Sequence, residues 1–311
     1  RRGRGVLMVA GGAIAAVAHL GLVWTGSTPV LLLLRVLFGI GQGALFVGAT
    51  TLAVDLAVPE RRGEATSYIF VALHLGSGTG PLIGEWALRQ WSFDAVWLLA
   101  AAGSALAGVL SFAVPNQPAT DVDLEDGRMR LLHPRAVLPG AILGVGIIGF
   151  TGFNAFVPLF GDEIGVDNIG PVFMVSSFTI VLIRFFGARL PDWLGPVRGG
   201  TIALTLSAIG LAIIGFVDVA GGLYAGAIVM SAGTSLLLPS LVNAAVDGVP
   251  ANERSSALAT YTLFLEVSLA FGAVAFGAVA GASSYANGFL MGAAAAVVAL
   301  VILQVTRAGR T

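Results

Sequence analysis

Two ionisable side chains interrupt long apolar runs of this sequence at equivalent places. His74 lies near the middle of the run 65–88, and Glu266, 192 residues later, lies near the middle of the run 257–282. Carboxyl and imidazole groups in apolar surroundings can bind and release protons close to neutral pH. Glu266 is therefore predicted to be a proton-coupling carboxylate, with His74 as its partner or as a separate proton site. For both residues the alternative is a structural hydrogen bond.

Four further polar side chains lie inside apolar runs and are candidates for a solute-binding cavity. Arg35 and Gln42 fall on one face of their predicted helix, with Arg35 roughly 8 Å from its end. A buried arginine could attract an anionic substrate or respond when a nearby carboxylate takes up a proton, and snorkelling to the membrane surface is the structural alternative. Asn154 would supply an uncharged contact, and Glu85 lies near the end of its run. The phenylalanines within 150–160 could form an apolar wall or face lipid.

These groups must be positioned by helices that cross a lipid bilayer. The chain has 311 residues, of which 57% are hydrophobic and only 11% are charged, against roughly 25% in ordinary soluble domains. A membrane-spanning helix needs about 20 apolar residues. Ten such runs are present: 5–24, 30–54, 65–88, 93–114, 137–160, 169–190, 202–219, 223–246, 257–282 and 286–305.

The arginines indicate which ends of the helices face the cytoplasm. All sixteen basic residues are arginine, and apart from Arg35, Arg89 and Arg184 they lie at the two ends of the sequence or in or beside every second connection between the runs. By the positive-inside rule these connections are cytoplasmic. We therefore expect a multi-pass protein of the plasma membrane with a cytoplasmic C-terminus.

Several kinds of chemistry are disfavoured by what the sequence lacks. There is no cysteine, and the three histidines lie in separate segments without metal-ligand spacing. No phosphate-binding loop and no hydrolase or zinc-protease motif occurs. We expect no enzymatic activity, no cofactor, no metal and no nucleic-acid partner. A membrane receptor or scaffold is a less favoured alternative.

One helix-loop-helix segment occurs twice. Asp55–Gly84 is repeated faintly in Asp247–Phe276, so that Asp55, Arg62 and Gly80 correspond to residues 192 positions further on. Two related halves are typical of transporters whose binding site lies at the membrane midplane. We predict an N-terminal bundle at 1–114, a cytoplasmic linker at 115–136 and a C-terminal bundle at 137–311. The first helix of the second half has no counterpart here, so we expect a fragment lacking two helices of twelve.

Four motifs resemble those of the major facilitator superfamily. The opening RRGRG and the segment Gly187–Arg198 resemble the two copies of its cytoplasmic loop signature. Arg35-Val-Leu-Phe-Gly-Ile-Gly resembles the pattern of its fourth helix. The fifth-helix motif, found especially in exporters, is matched by a glycine and proline seam, except that Glu85 replaces its last glycine. The seam consists of Gly76, Gly78, Gly80, Pro81 and Gly84.

The resemblance implies an all-α membrane fold of two pseudo-symmetric bundles, containing the third to twelfth helices. It implies a monomeric secondary transporter in a lipid bilayer, with protons as the coupling ion and a small-molecule substrate. We expect efflux of partly apolar compounds by alternating access, with uptake of a sugar or organic anion as the alternative. Charged residues at the cytoplasmic side could form a latch, or simply fix topology: Asp55, Arg62, Arg184, Arg189, Asp192, Arg198, Asp247 and Arg254.

Overall fold

Ten α-helices make up nearly all of the described structure. A computed structural model describes residues 4–58, 62–114, 132–187, 190–250 and 253–308. Within these ranges the helices are α1 (Arg4–Trp24), α2 (Thr28–Leu56), α3 (Arg62–Gln90), α4 (Phe93–Leu110), α5 (Pro134–Glu163), α6 (Gly170–Phe186), α7 (Leu190–Phe216), α8 (Ala220–Val246), α9 (Arg254–Ala282) and α10 (Tyr285–Ala308). The all-helical prediction is confirmed, and each predicted run corresponds to one helix.

Eight of the helices in the described part of the chain are long and apolar enough to cross a membrane. The other two are α3 and α6. Helix α6 is apolar but only 17 residues long, whereas α3 contains His74, Glu85 and Arg89 within its 29 residues. The polar groups that suggested a function are therefore also what lowers the hydropathy of α3.

The described residues form two compact units. Unit N comprises α1 to α4 without residues 77–79, and unit C comprises α5 to α10 together with residues 77–79. In unit N, helix α1 packs against both α2 and α4. A methyl group on Gly11 of α1 would lie 2.6 Å from the carbonyl oxygen of Gly41, and one on Gly12 would lie 2.5 Å from Cα of Gly108. Small residues thus let the backbones approach closely, as in other membrane helix pairs.

Unit C has a core to which every one of its six helices contributes. Phe153 and Phe160 of α5 are each 1% exposed and make edge contacts with Phe173 and Phe289, at 6.0 and 5.2 Å between ring centroids. The prediction of an aromatic cavity wall or lipid-facing row is therefore wrong for these two residues. Their rings face inward because glycines along α5 let α9 and α10 approach closely, as at Gly152, where an added methyl would lie 2.0 Å from the Phe276 ring.

In unit C, helices α5 and α7 are each interrupted by a proline near the residue at which they begin. Pro139 lies inside α5, and Pro196 follows Gly195 inside α7. Gly195 has φ 70° and ψ 170°, which breaks the helical conformation of α7 at this point. A proline has no backbone N–H to donate within a helix, so both sites lack a ladder hydrogen bond. The first turns of α5 and α7 are therefore separated from the rest of each helix by a break in the hydrogen-bond ladder.

Replacing Gly210 with alanine is expected to destabilise unit C by about 1–3 kcal/mol, since overpacking has costs of this size. An added methyl would lie 2.3 Å from the Met230 nitrogen and 2.6 Å from the Gly226 oxygen, and neither backbone atom can move aside independently. Gly221→Ala is the matched control, because Gly221 is also helical but has no atom within 4 Å of an added methyl. Thermal unfolding in detergent should show a lower Tm for Gly210→Ala only. Equal Tm values would show that α7 and α8 do not pack this closely.

Candidate functional site

Glu266 lies at the middle of α9 and does not face the core of unit C. The α5-facing side of α9 carries Phe264 and Ser268, which lie against Gly140 and Gly144. Glu266 is two residues from each of them and so lies about 200° around the helix. Its side chain is exposed, and it has no hydrogen-bond or ion-pair partner among the described residues. A structural hydrogen bond inside its own bundle therefore does not account for this carboxylate.

His74 lies on the less exposed side of α3. It is half-buried, as are Pro81 and Glu85, and Gly78 is buried. These positions follow His74 at intervals of four, seven and eleven residues, which places them on one face of the helix. The sequence predicted that this face does not contact lipid; within the structure it is the less exposed side of α3, and its orientation relative to lipid stays a prediction.

Arg35 of α2 lies over the ring of Trp97 from α4. The guanidinium carbon is 5.2 Å from the centroid of the indole ring, within the range of a cation–π contact. Arg35 as a whole is exposed. Its position is therefore set by a second helix of unit N, whereas a snorkelling arginine would be held only by its own flexible stem.

His19 packs beside Trp97 as well, although no pattern in the sequence singled it out. The residue is 7% exposed, and its ring lies 4.5 Å from Phe38 and 6.2 Å from Trp97 between centroids. Nδ1 lies 3.2 Å from Oγ of Ser104, whose hydroxyl donates to the Ala100 carbonyl. The serine oxygen is thus left to accept from Nδ1–H. His19, Arg35, Phe38, Trp97 and Ser104 form what we call the α1–α2–α4 cluster.

Three other predicted cavity residues have different surroundings. Gln42 is exposed. Asn154 is exposed and donates from Nδ2 to the Phe150 carbonyl of its own helix, at 2.8 Å. Glu85 accepts from Nη2 of Arg89 at 2.9 Å, with its side chain 17% exposed. The charge of Glu85 is therefore neutralised by an arginine one turn further along the same helix. Glu85 is for this reason a weaker candidate for proton coupling than Glu266.

The glycines of the predicted α3 seam are not equivalent. Gly78 is buried. An added methyl would find open space at Gly76 and Gly80, and would make ordinary contact with Val96, at 3.6 Å, on Gly84. Close approach of another backbone is therefore required at none of these three positions within the described residues. The proposed packing role concentrates on Gly78 and on Pro81, which interrupts the ladder of α3.

The predicted latch lies partly outside the described structure. Arg189 is outside it, as are the side chains of Asp55, Arg62, Asp192 and Arg254. Of the described members, Arg184 is half-buried in the last turn of α6, and Arg198 and Asp247 are exposed near the beginning of α7 and the end of α8. The latch therefore remains a prediction.

A different polar network joins the beginnings of α5 and α9. Nε2 of His133 lies 3.0 Å from a carboxylate oxygen of Glu253, and the His133 backbone N–H donates to Oγ1 of Thr260 at 2.8 Å. Arg135 donates to the Gly248 carbonyl beside it. These partners are more than 100 residues apart in the sequence, so no local pattern could have indicated the network.

Comparisons with known proteins agree with this architecture. Residues 1–220 match the profile described as Major Facilitator Superfamily. The chain is 27% identical over 284 residues to the uncharacterized MFS-type transporter STM4428 of Salmonella typhimurium, an alignment that covers 88% of this chain and 70% of that protein. It is 29% identical over 259 residues to the uncharacterized MFS-type transporter YhhS of Escherichia coli K12, covering 79% of this chain and 61% of that protein.

Solved structures show the same fold. A peptide transporter POT in complex with sulfate superposes with a TM-score of 0.77 at 16% identity, covering 99% of this chain and 80% of that one. The human organic anion transporter MFSD10 (TETRAN) gives 0.70 at 17% identity, covering 97% and 77%. Because the family profile matches more than half of its residues and these structures share its fold, the chain belongs to the Major Facilitator Superfamily, a family of multi-pass membrane transporters.

Proposed function

We propose that the protein containing this chain is a proton-coupled exporter of small, partly apolar compounds. Alternating access would move the compound in one direction and a proton in the other. The observation that carries this proposal is the placement of Glu266, an exposed carboxylate without a described partner at the middle of a membrane helix. The arginine-rich connections support a cytoplasmic C-terminus.

A carboxylate at this depth is costly unless it has a function. Insertion measurements assign about 2.5–3.5 kcal/mol to a charged side chain at the centre of a membrane helix. Such residues almost always face a bundle interior or a water-filled path. Glu266 faces away from the side of α9 that packs on α5, so a water-filled path is the arrangement that satisfies it. On that path the carboxyl group would take up and release the transported proton.

In unit N, the α1–α2–α4 cluster holds a second group that we propose takes part in transport, the guanidinium of Arg35. Stacking on Trp97 holds the guanidinium of Arg35 in place without neutralising its charge. A fixed positive charge could bind an anionic part of the solute, or could respond to the charge of a carboxylate that gains or loses a proton. His19 would position Trp97, and through it Arg35, by packing against the indole ring.

In the mechanism we propose, the protonation state of Glu266 decides which conformation of the transporter is favoured. While Glu266 carries a proton, its neutral side chain can pass through apolar surroundings, and the conformations that hide it from water become more stable. When the proton leaves, the charged form favours a conformation with access to water. Solute binding in that conformation would then bias the next transition, so that each ligand acts through its differential affinity for the two states.

The sign of a proton movement tests the proposal. The full-length protein is reconstituted into liposomes that contain the pH indicator pyranine and have an acidic interior, and small apolar amines and neutral aromatic compounds are added outside. Antiport predicts that entry of a transported compound raises the internal pH, because protons leave as the compound enters. Protein-free liposomes correct for passive diffusion of the amines. Accumulation of a compound with no protein-dependent pH change would contradict proton coupling.

Uptake by symport is the second candidate, and the placement of Arg35 is the observation that favours it. A fixed guanidinium suits recognition of an organic anion. In the same liposomes symport predicts a fall in internal pH as the anion enters with protons.

A further inference from the structure

Unit C contains a cavity whose described lining includes none of the predicted proton-coupling or substrate-cavity residues, although Asp247 of the predicted latch is part of it. It lies between the beginnings of α5 and α7 and the ends of α8 and α10, is open on one side, and has a volume of about 220 Å³. Pro139 and Pro196 both line it, so it lies at the level where α5 and α7 are interrupted. Missing ladder hydrogen bonds let these two helices depart from straight packing. The cavity therefore exists because Pro139 and Pro196 keep α5 and α7 from packing as straight helices at this level.

The wall of this cavity is apolar with a polar edge. Eight of the residues that line it are aliphatic or proline, among them Leu241, Ala244 and Leu303. The two polar residues are Asp247 and Thr306. Thr306 donates its hydroxyl hydrogen to carbonyls of its own helix, at 2.8 and 3.1 Å, so its oxygen can still accept a hydrogen bond. Both polar groups are thus acceptors, and one of them is an acid.

We propose that this cavity binds a small apolar ammonium ion, with its hydrocarbon part against α5, α7 and α10 and its N–H groups directed at Asp247 and Thr306. The size fits an aromatic ring with a short chain, since an engineered dry cavity of about 150 Å³ already holds benzene. A complete lipid tail is far larger than this space. An anion is disfavoured because both polar groups accept hydrogen bonds.

The charges around the cavity are compatible with a cationic ligand. Asp247 is exposed at the end of α8 and forms no ion pair with a basic side chain of the described residues. Arg135 donates to the carbonyl of Gly248, the residue that follows Asp247. Gly248 has φ 63°, which turns the chain sharply after Asp247. The ammonium ion would enter beside this turn, where the carboxylate is accessible from water.

Binding of 2-phenylethylammonium to the full-length protein in detergent tests the proposal. Isothermal titration calorimetry should detect binding of this ion and at least fivefold weaker binding of the neutral 2-phenylethanol. Asp247→Asn should weaken binding of the ion at least fivefold, because hydrogen bonds to a charged group contribute more than neutral ones. Ala244→Met should abolish it by filling the cavity. Asp218→Asn is the matched control, since this exposed carboxylate lies between α7 and α8 at their opposite ends.

Further measurements separate this site from the transport path. Glu266→Gln should leave the affinity for 2-phenylethylammonium unchanged, whereas a loss would place the ion at Glu266 and overturn the proposal. Three other results would each overturn the proposal. These are an equal affinity for 2-phenylethanol, unchanged binding of the ion by Asp247→Asn, and binding retained by an Ala244→Met protein of normal Tm. Displacement of the ion by phosphatidylethanolamine would assign the site to a lipid headgroup and overturn the assignment to a small free amine.

Discussion

Glu266→Gln is expected to abolish proton-driven transport by the full-length protein while leaving exchange of substrate across the membrane measurable. Glutamine has nearly the same size as glutamate but cannot release a proton, so the coupling step is lost and the path remains open. The rate of uphill transport should fall at least about tenfold, and the remaining transport should lose its dependence on pH. Proteoliposome assays with and without an imposed pH gradient measure both quantities.

The control for this substitution is Glu163→Gln. Glu163 ends α5 and is exposed, so the same chemical change is made at the end of a helix, where water is expected. Its transport rate and pH profile should equal those of the parent protein. Uphill transport by Glu266→Gln at the parental rate would remove Glu266 from the mechanism.

Arg35→Gln is expected to have the second largest effect, with transport reduced about tenfold or more. The substitution removes the positive charge beside Trp97, whereas Arg35→Lys keeps the charge and loses the planar group that stacks on the indole. We therefore expect lysine to restore part of the activity. Initial rates measured over a range of substrate concentrations and pH values separate the two proposed roles. A higher KM indicates an anion-binding group, and a flattened pH profile at constant KM indicates a group that responds to protonation.

Arg89→Gln is the matched control for Arg35. Arg89 is half-exposed and pairs with Glu85 one turn away on α3. Because Arg89 is half-exposed, its pair with Glu85 is expected to contribute little, about 0–1 kcal/mol, and both folding and transport should change far less than in Arg35→Gln. Parental kinetics for Arg35→Gln would show that the guanidinium only fills space beside Trp97. Substitution of His19 by glutamine should then also be silent, because its proposed effect is exerted through Trp97.

The positions of the helices could be predicted closely from the sequence. A span must match the thickness of the bilayer, so its length and its apolar character are local properties that can be counted along the chain. The run 257–282 became α9 (Arg254–Ala282), and the run 223–246 became α8 (Ala220–Val246). The greatest difference is at α7, which begins at Leu190 rather than near Ile202, because a broken segment around Gly195 precedes the straight helix.

The sequence by itself determined the ten membrane helices and predicted two related halves with Glu266 and His74 at matching depths. Only the tertiary structure decided which way the side chains face, because helices that are apolar on all sides carry no stripe from which a buried face can be read. It placed Phe153 in the core, brought His19 to Arg35 and Trp97, and formed an open cavity beside Asp247. Each of these arrangements depends on contacts between helices that are distant in the chain, and such contacts leave no local pattern.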